Sequence, residues 1–90
     1  MNKQLFPTGQ IVATQGVLAN HNQAQLWPYI TRHISGDWGN VSENDAKENS
    51  YSVSRDLRIL SSYNMEDGTK IWIITEADRS ATTVLLPDEY

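Results

Sequence analysis

The fold of this chain is decided by the stretch Ile71–Pro87, which reads IWIITEADRSATTVLLP. Its two ends are apolar and rich in β-branched residues, a composition typical of strands. The polar middle contains Asp78 and Ser80, residue types that favour turns. We therefore predict strands at 70–75 and 82–86, joined by a connection at 77–80. The unbroken apolar run Ile71–Ile74 predicts a central strand with both faces covered.

The residues before this stretch predict one more hairpin and a set of helices. Alternating side chains predict a strand at 57–63, and Asp67-Gly68 supplies the turn of the hairpin that follows. The spacing of apolar residues predicts a strand at 10–13 and helices at roughly 15–20, 25–35 and 43–54. The fold class is α+β: two or three N-terminal helices packed on a three- or four-stranded antiparallel sheet, in a single domain at 1–90.

Local signals set the predicted helix boundaries. Ser42 is expected to cap the third helix with its hydroxyl. Pro28 is tolerated only in a first turn, which places the start of the second helix near Gln25. In the first helix, Val17 and Leu18 are expected to face inward.

Composition excludes several classes of protein. The 90 residues contain no cysteine, which excludes disulfides, thiolate catalysis and cysteine-based zinc sites. The formal net charge is −4, a poor match for phosphates, so nucleic acid is not an expected partner. No apolar run approaches the roughly 20 residues that span a bilayer. The N-terminus lacks an apolar signal-peptide segment, and we expect a cytoplasmic location with no membrane partner.

The first polar cluster with chemical potential lies around the expected end of the second helix. His33 could act as a general acid or base, oriented by the carboxylate of Asp37. The alternative is structural: a histidine favoured by the helix dipole, Gly36 as the residue that ends the helix, and Trp38 as a core side chain.

The second polar cluster lies in the connection before the last strand. An arginine among carboxylates and hydroxyls could bind phosphate or stabilise an anionic transition state. Alternatively, Asp78 and Ser80 bond their own backbone while Arg79 pairs with Glu76 or Asp78. The residues concerned are Glu76, Asp78, Arg79, Ser80, Thr82 and Thr83.

No complete catalytic or metal motif accompanies these clusters. His21 and His33 lie on different predicted elements, and the carboxylates lack calcium-loop spacing, so no metal site is expected. The chain has no G-x-S-x-G turn, no phosphate-binding loop and no dinucleotide fingerprint. No cofactor is expected.

Three strings give the chain a resemblance that covers nearly its whole length. They are His33-x-x-Gly36-Asp37-Trp38-Gly39, Arg58-Ile59-Leu60-Ser61-x-Tyr63, and the segment from Trp72 to Tyr90. The chain resembles a family of small bacterial proteins carried on plasmids, integrative elements and prophages. Its members are loosely labelled plasmid-related proteins or type I restriction endonuclease subunit M. The resemblance implies an accessory gene of mobile DNA, a setting in which many genes act against host defences.

These observations leave three hypotheses. The first is a non-enzymatic mobile-element accessory protein that binds and modulates a host protein, such as a component of a defence system. Aromatic residues would anchor the partner, since binding energy concentrates on such side chains. Its candidate binding residues are Asp37, Trp38, Tyr63, Trp72, Asp78, Arg79, Ser80 and Thr83.

The second hypothesis is a small ribonuclease, because helices followed by an antiparallel sheet resemble the layout of barnase- and RelE-like enzymes. His33 or Glu76 would take the 2′-hydroxyl proton, and Arg79 would stabilise the phosphorane, with Thr82 nearby. The third is an assembly module that forms a homodimer through a sheet edge. Both monomer and homodimer stay open. The distance between His33 and Arg79 separates the enzyme from the binding protein.

Overall fold

The structure is a computed structural model that describes residues 4–90. Its elements follow the predicted order, with the helices before three consecutive strands, which confirms the α+β class. They are β1 (Gln10–Ala13), α1 (Gln15–Leu18), α2 (Gln23–Ile34), α3 (Glu43–Arg55), β2 (Ile59–Asn64), β3 (Lys70–Thr75) and β4 (Ala81–Leu85), followed by a short 3-10 helix at Pro87–Glu89.

The four strands form one mixed sheet in the order β1-β4-β3-β2. β2, β3 and β4 make the predicted antiparallel meander, with β3 in the interior. β1 instead runs parallel to β4, with Ile11 opposite Thr82. The expectation of a fully antiparallel sheet is therefore wrong at β1. The helical layer separates β1 from the meander in sequence, and a parallel pair needs a long connection of this kind.

The helices cover one face of the sheet. On that face lie Ile71 and Ile73 of β3, which pack with residues of α1, α2 and the flanking strands, namely Val17, Leu26, Ile30, Tyr63, Met65 and Val84. A second cluster, formed by Phe6, Trp38 and Ile59, lies under α3. On the opposite face, Trp72 contacts the ring of Tyr90, with the centroids 5.7 Å apart. The core is thus concentrated between the sheet and the helices.

α2 begins earlier than the proline predicted. The Asn22 side chain accepts a hydrogen bond from the Gln25 backbone, and the Gln25 side chain accepts one from the Asn22 backbone. This capping box starts the helix at Gln23, so Pro28 is its sixth residue. The prediction that Pro28 lies in the first turn is therefore wrong. The predicted end is confirmed, because Gly36 follows the last turn with φ +92°.

The outer edge of β2 is closed by two other segments. The Ser62 N–H donates to the Trp38 carbonyl (3.1 Å), and the Asn40 N–H donates to the Ser62 carbonyl (2.6 Å). One step along, the Asn49 side chain of α3 donates to the Leu60 carbonyl (2.7 Å) and accepts from its N–H (3.2 Å). This amide satisfies both outward groups of Leu60, so the edge is not available for further pairing.

Replacing Asn49 by alanine removes both of these hydrogen bonds while Leu60 stays under α3. We expect Asn49→Ala to lower the free energy of unfolding by about 1–3 kcal/mol, measured by urea denaturation. The control is Ser50→Ala, at the next and exposed position of the same helix. It should change stability by less than about 0.5 kcal/mol. Equal stabilities of the two variants would show that the Asn49 amide does not close this edge.

Candidate functional site

His33 lies in the interior, on a hydrogen-bonded line through the middle of the sheet. Its ring is 0% exposed. Nδ1 lies 2.6 Å from the Ser61 hydroxyl and Nε2 lies 2.9 Å from the Thr75 hydroxyl. The line continues from Thr75 to the Thr82 hydroxyl (2.8 Å) and from Thr82 to the Thr8 carbonyl (2.9 Å). The His33 side chain of α2 is therefore bonded to β2 and β3, and through the threonine hydroxyls it is linked to β4 and to the N-terminal segment.

The last partner on this line fixes the direction of the bonds from Thr82 back to Nε2 of His33. The Thr8 carbonyl can only accept, so Thr82 donates its one hydroxyl proton there. Thr82 then accepts from Thr75, and Thr75 accepts from His33. The ring proton is therefore on Nε2, and Nδ1 accepts from the Ser61 hydroxyl. A neutral His33 satisfies the whole line without a substrate.

Burial keeps His33 in this neutral form. Removal of the ring from water lowers the pKa of His33 from 6.5 to about 3. A general base must reach the proton that it removes, directly or through one water. In this structure both ring nitrogens of His33 are already bonded to protein hydroxyls, and the side chain has no exposed surface.

Arg79 holds together the ends of two elements. Its guanidinium donates to the Ser52 carbonyl in the last turns of α3 (2.9 Å), to the Leu57 carbonyl just beyond it (2.8 Å) and to the Glu76 carbonyl of its own turn (3.1 Å). The backbone of Arg79 has φ +60°, a conformation that costs non-glycine residues about 1–2 kcal/mol. The side-chain contacts offset that strain.

His33 and Arg79 meet through an aromatic ring. The His33 ring lies edge-on to Phe6, with centroids 5.4 Å apart, and the Arg79 guanidinium carbon lies 5.5 Å from the centre of the same ring. No hydrogen bond among residues 4–90 joins the two side chains. The two side chains thus contact the same Phe6 ring, and His33 is fully buried there.

The other residues predicted near His33 serve the packing of α2. Asp37 is exposed and forms a two-point ion pair with Arg32, which lowers the pKa of the Asp37 carboxyl. Trp38 is buried against Phe6. Tyr63 is buried and donates its hydroxyl to the Asp37 carbonyl (2.6 Å), and burial raises the Tyr63 pKa to about 12. In this conformation neither Trp38 nor Tyr63 can anchor a partner.

The remaining predicted residues lie at the β3–β4 turn or on the second face of the sheet. Asp78 accepts from the Ser80 hydroxyl and backbone N–H, which lowers the Asp78 pKa. Both residues are exposed, as is Glu76. Trp72 and Thr83 lie on the face away from the helices and are half-buried. The structure therefore spreads the predicted binding residues over three places.

The second histidine also has a structural partner. His21 Nδ1 lies 3.2 Å from the Val17 carbonyl, and Nε2 lies 2.9 Å from the Asp67 carboxylate. The carbonyl and the carboxylate are both hydrogen-bond acceptors. The Thr69 backbone N–H and His21 lower the pKa of Asp67 to about 2. The pair links the end of α1 to the β2–β3 hairpin.

Several exposed apolar side chains lie together at the outer side of β1. Four exposed side chains define this edge surface: Ile11 (40%), Val12 (38%), Leu18 (49%) and Trp27 (53%). Leu18 is exposed, so the prediction that its side chain faces inward is wrong. Between β1 and α2 the surface opens into a groove of about 260 Å³, whose further lining residues are Ala13, Gln23, Leu26, Ile30 and Val84. None of the lining residues is charged.

The backbone of β1 adds hydrogen-bonding groups to the edge surface. The N–H groups of Gln10 and Thr14 donate to carbonyls at the β4 side, those of Ser80 and Val84 (3.0 Å each). Because successive residues of a strand point in opposite directions, Ile11 presents its N–H and C=O away from β4, and so does Ala13. Within residues 4–90, no strand lies on that side of β1.

We did not predict this surface from the sequence, although the sequence contains one signal for it. Trp27 is adjacent to Leu26 and lies outside the inward stripe formed by Leu26, Ile30 and His33. A tryptophan off the buried stripe of a helix is expected to be exposed. The exposure of Ile11 and Val12 depends on β1 being an edge strand, which the sequence does not reveal.

Comparisons of the chain with models of known protein families, with curated proteins and with solved structures gave no match. The resemblance to small proteins of plasmids and prophages stays a prediction. Among residues 4–90, no three His, Asp or Glu side chains are grouped to hold a metal ion. In the same range, no helix has the length and apolar character to span a bilayer.

The buried His33 predicts a specific dependence of stability on pH. Below about pH 6.5 the unfolded chain protonates His33 while the folded chain does not, since its folded pKa is about 3. Stability is therefore full above about pH 6.5 and falls as the pH is lowered, by up to about 1.4 kcal/mol per pH unit. Urea denaturation between about pH 7 and 5 measures this slope, before most carboxylates titrate.

The control for this slope is His33→Gln. It is less stable at neutral pH but lacks the titrating ring, so its stability should fall less steeply over the same range. Identical slopes for the two proteins would mean that His33 is not held neutral by the fold.

Arg79→Lys tests the structural role of the guanidinium. A single ammonium cannot reach carbonyls on both α3 and the β3–β4 turn, so we expect a loss of about 1–2 kcal/mol in the free energy of unfolding. Arg55→Lys, an exposed change at the end of α3, should stay within about 0.5 kcal/mol of the parent protein. A loss no larger than that of the Arg55 control would refute the capping role.

Proposed function

We propose that this protein is a non-enzymatic binding protein, an accessory factor of mobile DNA that binds and modulates a host protein through its edge surface. The host target that we propose is a component of a defence system. The setting comes from the resemblance of the chain to small proteins of plasmids, integrative elements and prophages. The binding mode comes from the structure.

The edge surface is the observation that carries the proposal. Exposed Trp27 and Leu18 stand beside an uncharged groove, next to backbone groups of Ile11 and Ala13 that face outward. Tryptophan is among the residues on which binding energy concentrates. A partner segment that pairs with β1 gains main-chain hydrogen bonds from the strand and side-chain specificity from the groove, as in strand addition to a sheet edge.

The contacts of the side chains in the two polar clusters support a binding role over catalysis. His33 uses both ring nitrogens on Ser61 and Thr75, and Arg79 is engaged with carbonyls. The ribonuclease hypothesis requires these two groups at an accessible phosphate, and they instead pack on the ring of Phe6. The net charge of −4 also disfavours a phosphate backbone as ligand.

The experiment compares two variants of equally exposed aromatic residues. Tagged wild type, Trp27→Ser and Tyr51→Ser are expressed in the host bacterium, and captured proteins are quantified by mass spectrometry. Tyr51 is the matched control, since it is 56% exposed on α3, whereas Trp27 is 53% exposed. We expect one host protein to be recovered by wild type and Tyr51→Ser, and at least about tenfold less by Trp27→Ser.

Two further readouts complete this test. Expression of wild type, but not of Trp27→Ser, should raise the establishment of incoming plasmid DNA in a restricting host. Recovery of the same host proteins in the same amounts by wild type and by Trp27→Ser would contradict the proposal. So would degradation of total RNA by wild-type protein that His33→Gln abolishes, because that result would support the ribonuclease.

A further inference from the structure

We propose that two copies of this chain pair through β1, antiparallel to each other, about a two-fold axis that passes through Val12. The occupant of the edge surface in the isolated protein is thus a second copy. The pairing joins the two four-stranded sheets into one of eight strands, with the helices of both copies on the same face.

The backbone of β1 is self-complementary at this register. Its outward-facing donors and acceptors belong to Ile11 and Ala13, one residue on either side of Val12. An axis at Val12 places Ile11 of one copy opposite Ala13 of the other. In an antiparallel pair, two such residues exchange both of their N–H···O=C bonds. The two exchanges satisfy every outward group of the strand in both copies.

The side chains fit the same arrangement. Residues directly opposite each other in an antiparallel pair project on the same face of the sheet. Ile11 of each copy therefore lies beside Ala13 of the other, at the groove of about 260 Å³ between β1 and α2. Leu18 and Trp27 border this groove, so a second copy covers the apolar side chains that the monomer leaves exposed.

Charge also favours a second copy as the occupant. The chain carries a net charge of −4, so two copies repel each other wherever their acidic residues approach. The groove is lined by no charged side chain, and β1 itself reads Gln-Ile-Val-Ala. The edge surface is therefore a place where two acidic chains can meet without bringing like charges together, and its own apolar strand matches its uncharged lining.

The opposite edge of the sheet limits the assembly to two copies. Asn40 and Trp38 bond the outward groups of Ser62, and Asn49 bonds those of Leu60. β2 is therefore unable to add a strand, and the contact through β1 uses the same surface on both copies. Such an interface closes after one pairing and does not propagate into a fibre.

The dimer does not depend on the proposed host partner. If the host protein binds the edge surface, it competes with the second copy, and binding strengthens as the protein is diluted below its dimerisation constant. If the protein is a dimer and no host partner exists, only the proposed function fails.

The test is the mass of the purified full-length chain in solution, measured by sedimentation equilibrium over a range of concentrations. We expect twice the chain mass of 10.2 kDa at high concentration. Val12→Lys and Val12→Glu each place like charges across the axis, which is destabilising, and each should weaken the dimer at least about tenfold. An equimolar mixture of the two variants brings opposite charges together and should restore the dimer.

The controls separate pairing from folding. Ile11→Pro removes an N–H that faces away from β4, a position where an edge strand tolerates proline, and should give a folded monomer by circular dichroism. Tyr51→Lys, a charge at an exposed aromatic residue of α3, should leave the dimer intact. A wild-type protein that stays monomeric at the highest concentration overturns the proposal. A mixture of Val12 variants that stays monomeric overturns the register at Val12.

Discussion

The structure depends on one buried constraint, the need of His33 to keep both ring nitrogens bonded inside the core. A buried polar group without a partner costs about 1–3 kcal/mol. The hydroxyls of Ser61 and Thr75 meet this need. The Thr75 hydroxyl in turn bonds that of Thr82, which bonds the Thr8 carbonyl. A shift of α2 against the sheet would leave several groups unpaired at once. The line of bonds thus specifies one packing of helix on sheet.

This constraint decides where function can lie. Residue types that perform catalysis elsewhere are used here for architecture, with His33 inside the core and Arg79 on the ends of α3 and the β3–β4 turn. In the two polar clusters, His33 is turned inward, Arg79 bonds carbonyls, and Asp78 bonds the Ser80 backbone of its own turn. An apolar surface whose groove is lined by no charged side chain lies at β1. This surface supports the binding role that we propose and the pairing of two copies that we propose.

Much of the fold could be predicted because its signals are local. The antiparallel meander follows from the apolar runs around 71–74 and 82–86 and from Asp67-Gly68, whose glycine has φ +90°. The parallel direction of β1 could not be predicted from four residues, since it depends on how the helical layer returns the chain. The position of Pro28 predicted a start of α2 that lies too late in the chain. The capping box of Asn22 and Gln25 instead begins the helix at Gln23.

The candidate site was harder to predict than the fold. A sequence does not distinguish a histidine whose two ring nitrogens are bonded within the core from a histidine that is free to bind a substrate. The difference lies in Ser61 and Thr75, which are 28 and 42 residues away along the chain. Exposure has the same limitation: Leu18 is 49% exposed beside β1, which is an edge strand of the sheet. Local patterns carry no information about such neighbours.

The most direct test is the protonation state of the His33 ring, read from its two ¹⁵N chemical shifts by NMR. We predict a neutral ring with its proton on Nε2, unchanged when the pH is lowered to about 5. A His33 ring that carries its proton on Nδ1, or that titrates near pH 6.5, would contradict the buried line of bonds and the assignment of function that rests on it.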